Sequence, residues 1–379
     1  MKVLHVYRTY FPDSQGGGQE AIRQICLSTQ ALGVENTVFT LSPNPSPKII
    51  QRPEATVVRC RSWAAPASCD LGSLDAMTTF RTLVKQADVV HYLFPWPFAD
   101  LLHELAPTKP SVLTYVSDVV RQKWLNAAYA PLMWRTLKGM NAIISNAPNY
   151  MQSSTILSDS FIRSKLRQIP LGKTENVDEI EPDQTILKHL NLDQGEPFIL
   201  FVGVFRYYKG LHTLIDACQT TKGRVVVVGE GPEGARLKAK VAQLGLKNIT
   251  FTGRVSDPEK MALIQACRAL VLPSHLRSEA YGLVLVEASM CSKPMVTCDI
   301  GTGTSYINLH NQTGFVVSPE SPIELAQAMN SLLADAKLAE SFGHAARERY
   351  DMLFSGQAMG QGYLNVFNEA INSSVIHKR

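Results

Sequence analysis

The sequence predicts an α/β protein made of two doubly wound, parallel-sheet domains, and three observations point there. The chain has 379 residues, more than one ordinary core serves, and it suits two domains of about 150–200 residues each. Short β-branched runs are followed by longer segments of helical period, strand then helix, in both halves. The runs are nearly continuously apolar rather than alternating, as in strands buried on both faces of a parallel sheet. No period of 20–50 residues repeats, which excludes solenoids and arrays.

In chain order, the first half places strands at Val3–Tyr7, Asn36–Leu41, Ala55–Cys60, Val89–Leu93, Ser111–Tyr115 and Ala142–Ser145. The second half places them at Phe198–Val202, Arg224–Val228, Ile249–Phe251, Ala269–Leu272, Pro294–Cys298 and Gly314–Val317. Helical period marks Glu20–Leu32, Gly210–Ala217, Glu233–Leu244 and Pro258–Ala266. The polar stretch Leu171–Gln194, rich in carboxylates and without a strong period, reads as the linker. The expected division is therefore 1–172, 173–354 and a helix over 355–379 that packs back on one of the domains, the first being the better candidate. In open α/β sheets ligands sit beyond the carboxyl ends of the strands, so two such edges face each other across an expected deep cleft.

Composition narrows the class. Hydrophobic residues make up 45% and charged residues 18%, which argues against disorder. No apolar stretch approaches the roughly 20 residues that span a bilayer, and Val3–Tyr7 is too short for a signal-peptide core. The seven cysteines form no Cys-x-x-Cys and read as reduced thiols of a cytoplasmic protein. Residues 1–173 hold 18 Lys/Arg against 11 Asp/Glu, and the remainder 19 against 22. A basic first half suits an anionic surface or substrate. Its dispersed charges, without interleaved aromatics, argue against nucleic acid.

Five motifs carry the chemistry. Gly229-Glu230-Gly231-Pro232-Glu233-Gly234 matches a dinucleotide fingerprint formally, but Pro232 removes an N–H from the loop and the next strand ends without an acidic residue for a ribose. It reads as a turn and helix cap. Gly16-Gly17-Gly18 lies between the first strand and the first helix, where backbone N–H groups meet an anion. Arg206 and Lys209 follow the first strand of the second domain and can converge on one diphosphate, Arg as a fork and Lys as a point charge. Glu279 and Glu287 lie eight apart around Gly282-Leu283, which should open a helix. Glu287 is costly to bury without a partner, and a ribose diol or a salt bridge supplies one. The fifth is the aromatic cluster His91–Phe98 with Val112–Trp124, which reads equally as sugar-stacking walls or as core; Asp118 is the polar group closing its strand. No Asp-x-Asp, zinc-spaced His/Cys set or P-loop occurs.

With these residues in view, the chain resembles the retaining glycosyltransferases of family 4, whose fold is GT-B. The resemblance covers nearly the whole length and rests on Glu279-x7-Glu287, the glycine-rich first loop and Gly203…Lys209-Gly210. Val6–Asp13, Phe205–Gly210 and Leu276–Gly282 resemble more narrowly the GDP-mannose (or GDP-rhamnose) dependent transferases of bacterial O-antigen, which act on undecaprenyl diphosphate-linked saccharides.

The resemblance implies catalytic roles for Asp118, Arg206, Lys209 and Glu279. Arg206 and Lys209 would hold the donor diphosphate, Glu287 the ribose, and Glu279 the transferred sugar. Gly17 and Gly18 would approach the phosphate, Arg254 and Val255 the base, and Tyr281, Gly282 and Leu283 the nucleotide. It implies no cofactor and no metal. It places the protein peripherally at the cytoplasmic face of the inner membrane, with a lipid-linked acceptor. The apolar-cationic stretch Trp124, Leu132, Met133, Trp134, Arg135 and Lys138 is expected to rest on anionic lipid.

Three departures stand out. Val116 replaces the family's His, Val204 replaces an Arg that is displaced to Arg206, and the paired glycines read Gly301-Thr302-Gly303. Val116 keeps one rival open, a non-catalytic nucleotide-sugar-binding subunit; a sugar-nucleotide epimerase, which can share this architecture, is the second.

Overall fold

The structure is a computed structural model describing residues 1–65, 70–106, 109–117, 123–174, 181–193 and 195–376, with backbone alone for 123–128 and 375–376. The chain divides into two compact units, Met1–Thr174 with Gly356–Arg379, and Glu175–Ser355.

The first unit holds strands β1 (Lys2–Val6), β2 (Glu35–Ser42), β3 (Ile49–Gln51), β4 (Thr56–Ala64), β5 (Leu71–Gly72), β6 (Val89–Phe94), β7 (Ser111–Tyr115), β8 (Ala142–Ser145) and β9 (Leu166–Gln168). They lie in the order β3-β4-β2-β1-β6-β7-β8-β9, with β5 on β4. All pairs are parallel except β3 with β4 and β4 with β5. The sequence pattern misses β3, β5 and β9 because each is two or three residues long, shorter than the apolar run a buried strand needs to show. β4 runs past Cys60 because Ser62 and Ala64 pair with β5.

A polar string crosses this sheet from within. His5 Nε2 bonds Asn36 Oδ1 (3.0 Å), His5 Nδ1 meets His91 Nδ1 (2.9 Å), and His91 Nε2 meets Thr114 Oγ1 (2.7 Å). The string ends on Tyr363 of the Gly356–Ile376 helix, whose hydroxyl lies 3.0 Å from Thr114. Burial pulls the His5 imidazole down to about 4 and His91 well below its ordinary value, so both are neutral and can share protons. That helix packs on the Gly17–Gln30 helix so closely that a Cβ on Gly360 would lie 2.6 Å from the Ser28 carbonyl.

The second unit holds β10 (Phe198–Val202), β11 (Arg224–Val228), β12 (Ile249–Gly253), β13 (Ala269–Leu272), β14 (Met295–Cys298) and β15 (Gly314–Val317). All pairs are parallel, in the order β12-β11-β10-β13-β14-β15. This is the doubly wound order, and it reverses direction between β10 and β13. Among the described residues no helix is long and apolar enough to cross a membrane.

Candidate functional site

The loops leaving β10 and β13 border the switch point, where an open α/β sheet accepts ligands. The β10 loop is braced by its neighbour. Phe205 N–H donates to the Glu230 carbonyl (2.9 Å) and Gly203 N–H to the Val228 carbonyl (3.0 Å). Gly229 has φ +127°, and its Cβ would fall 2.1 Å from the Gly203 oxygen; a Cβ on Gly231 would fall 2.5 Å from the Phe205 oxygen. The glycines of this false fingerprint serve loop-on-loop packing.

Past Phe205 the chain exposes Arg206, makes a single 3-10 turn over Tyr207–Lys209, and enters the Leu211–Ala217 helix through left-handed Gly210. A Cβ on Gly210 would lie 1.9 Å from the Pro273 oxygen, so the turn sits directly on the β13 loop. Lys209 and Glu279 form a largely buried salt bridge there, and Ser274 Oγ donates to the same Glu279 oxygen at 3.1 Å. Burial alone would lower the Lys209 ammonium's pKa, but the Glu279 charge and bond hold it above its ordinary value. The family resemblance assigns these two residues to different parts of one ligand; the structure joins them as a pair.

Glu279 leads through Tyr281 and left-handed Gly282 into the Leu283–Met290 helix, whose first N–H groups receive no side-chain cap. Such an end is ready for an anion. Gly301-Thr302-Gly303 folds against this loop: Thr302 Oγ1 donates to the Glu279 carbonyl (2.8 Å) and Gly303 N–H to the Ala280 carbonyl (2.9 Å). Glu287 is buried in the same helix, and Lys260 Nζ lies 3.1 Å from its Oε1 while also reaching Asp257 at 2.9 Å. Burial alone would lower the Lys260 pKa; its two carboxylates raise it instead. Lys260 is a partner the sequence pattern does not reveal, since nothing in its local context distinguishes it from a surface lysine. Arg254 is exposed and lies 3.4 Å from Glu230; Val255 follows half-buried.

In the first unit, Gly17 opens the Gly17–Gln30 helix, and a Cβ there would meet nothing within 4 Å. Gly18 is packed under Tyr7, whose hydroxyl would lie 2.5 Å from an added Cβ. Val116 packs on an apolar cluster of Tyr10, Ile22, Cys26, Val38, Ala55, Val57 and Leu93, beside Tyr7 and Phe11. Of the two readings left open for the aromatic cluster, core is the one found: Tyr92, Phe94, Trp96 and Phe98 are buried, with Phe94 stacked on Tyr115 at 4.7 Å. Asp118 lies outside the described residues, as do the Trp124 side chain and residues 175–180 of the expected linker. In the Lys123–Gly139 helix, Met133 turns to the core, Lys138 lies over the Trp134 ring, and Arg135 pairs with Glu104 at 2.5 Å.

The family model "Glycosyl transferases group 1" matches residues 182–349. The chain is 46% identical to D-rhamnosyltransferase WbpZ of Pseudomonas aeruginosa, over 94% of this chain and 92% of that protein. It is 37% identical to O-antigen chain mannosyltransferase C of Escherichia coli, over 98% of this chain and all of that one. Sucrose-phosphate synthase from Thermosynechococcus elongatus superposes with a TM-score of 0.77 at 22% identity, covering 98% of this chain and 99% of that one.

Proposed function

The chain belongs to the glycosyl transferases group 1 family, with the GT-B fold, and on that premise we propose that it transfers mannose from GDP-mannose to a lipid-linked saccharide in O-antigen assembly, with retention of anomeric configuration. The observation that carries this reading is the Lys209–Glu279 pair, built from the two loops at the switch point of the second sheet beside an uncapped helix start.

On this reading Arg206, Lys209 and the N–H groups at Leu283 meet the charge of the departing diphosphate. Preorganised cations and dipoles stabilise charge that develops in the transition state without reorganising. Glu279 orients the hexose hydroxyls, and Glu287 the ribose. The anomeric C–O bond to the diphosphate breaks, the acceptor oxygen bonds to the same carbon on the same face, and the acceptor proton passes to the leaving phosphate oxygen. No metal enters these steps. The basic first unit takes the acceptor at the cytoplasmic face of the inner membrane, drawn to anionic lipid.

Similarity to one protein named a rhamnosyltransferase and another named a mannosyltransferase makes the hexose the sharpest question. Purified protein incubated with an undecaprenyl diphosphate-linked saccharide and either GDP-mannose or GDP-rhamnose should extend the saccharide from GDP-mannose. Extension from GDP-rhamnose alone overturns the choice of sugar. Donor binding without turnover supports a non-catalytic subunit, and isomerised donor without acceptor an epimerase.

A further inference from the structure

Behind the Lys209 turn lies a second cluster that the glycosyl-transfer reading does not use. His212, in the first turn of the Leu211–Ala217 helix, His275, in the loop after β13, and Glu320, beyond β15, each bring one ligating atom to a common point, all within 4.8 Å of one another. His212 Nε2 lies 3.8 Å from Glu320 Oε1. The two imidazoles meet edge to face at 5.0 Å between ring centres, and Tyr207 stacks on His212 at 5.4 Å.

His275 is the telling member. It is only 7% exposed, and among the described residues neither of its ring nitrogens finds a hydrogen-bond partner. Two unpaired buried nitrogens cost free energy that a native structure rarely leaves uncompensated.

We propose that His212, His275 and Glu320 bind one divalent transition-metal ion of borderline softness, Zn2+ being the type. Two imidazoles and one carboxylate are a donor set such ions take, with a fourth position left for water. Ligands at zinc distances in a tetrahedron stand about 3.3 Å apart, so the widest separation in the cluster must close by up to about 1.5 Å and the His212–Glu320 one by about 0.5 Å. The slack lies where it can be taken up, since the Glu320 side chain is 61% exposed and that of His212 is 26% exposed. The nearby Lys240 ammonium is already engaged, by the Asp216 carboxylate at 2.6 Å and the His212 carbonyl at 3.2 Å.

The ion's role is to brace. The His275 backbone N–H donates to the Tyr208 carbonyl at 3.0 Å, and Gly210 rests on Pro273. An ion joining His212, His275 and Glu320 would therefore clamp both ends of the turn that carries Lys209.

Untagged protein stripped with EDTA should bind one Co2+ per chain by titration, with a visible d–d absorption that Zn2+ displaces. Glu320→Gln and His212→Ala, both at side chains reaching solvent, should each weaken Co2+ binding by at least about tenfold. Zn2+ should raise the thermal midpoint of the wild-type protein and leave that of Glu320→Gln where it was. His275→Ala should lose the absorption altogether. Absence of saturable Co2+ binding, or equal affinity in wild type, His212→Ala and Glu320→Gln, overturns the site, whatever becomes of His275→Ala.

Discussion

The Lys209 ammonium, in the turn after β10, is salt-bridged to the Glu279 carboxylate, in the loop after β13, and the two are buried together. They lie 70 residues apart in sequence and meet because β10 and β13 are neighbours. A charged pair in this position is set to exchange part of its mutual attraction for contacts with a ligand. It also means that neither residue can be removed without exposing the other's charge to a poor environment.

Lys209→Ala should therefore fail twice. Leaving Glu279 buried without its counterion costs about 3–5 kcal/mol of stability, and sugar transfer should cease. Arg206→Ala separates the two effects, because Arg206 is exposed. Its thermal midpoint should stay at the wild-type value while KM for GDP-mannose rises about 10- to 100-fold, the worth of a charge-assisted bond. Thermal melts alongside donor-saturation kinetics read both. A Lys209→Ala protein that transfers sugar at the wild-type rate would remove the pair from the chemistry.

The glycines of the first loop divide by what they touch. Gly17→Ala adds a methyl into open space and should leave the melting temperature unchanged, whereas Gly18→Ala must push the Tyr7 ring aside and should cost about 1–3 kcal/mol. If phosphate oxygens approach Gly17, its alanine variant loses donor affinity while remaining fully folded. Unchanged affinity in Gly17→Ala would take the first loop out of donor binding.

Much of this is legible in the sequence, for a physical reason. Buried parallel strands must be apolar throughout, so β10, β11 and β13 declare themselves, and a glycine that opens a helix, such as Gly282, marks where a strand loop turns back. Side-chain partnership is not written that way. Nothing near Lys260 forecasts Glu287, because the two meet through the packing of separate helices. The Tyr92–Phe98 aromatics carry the same composition whether they line a sugar site or fill a core, and only burial distinguishes the two. The His212–His275–Glu320 cluster draws on three separate loops or helix ends, with no spacing that a motif would register.

Val116 tests whether the missing histidine matters. In this chain the position packs against the apolar cluster that holds Tyr10, Ile22 and Leu93, so an imidazole there displaces apolar contacts. Val116→His should lower stability by about 1–3 kcal/mol and bring no gain in transfer rate. Stability by chemical denaturation and initial rates with GDP-mannose decide it. A substantially faster Val116→His enzyme would show that valine holds the activity down.

Asp100 sets a pH dependence of its own. It is buried in the Pro97–Leu105 helix and accepts a bond from the Tyr129 hydroxyl of the Lys123–Gly139 helix. Burial, with a smaller push from Glu104 and against the pull of Tyr129, raises its carboxyl to about 7. The folded state thus keeps a proton that the unfolded chain gives up near pH 4. Its contribution is full below that value and is lost as the pH climbs to about 7, after which the curve is flat. Asp100→Asn keeps an acceptor for Tyr129 and carries no charge. The variant should match the wild type at pH 4 and exceed it at pH 8 by up to about 4 kcal/mol, because each tenfold difference in proton affinity between the folded and unfolded chain is worth about 1.4 kcal/mol. Denaturant melts across pH 4–8 measure the difference. Parallel curves for the two proteins would mean that Asp100 stays ionised in the fold, held by Tyr129 more strongly than burial opposes it.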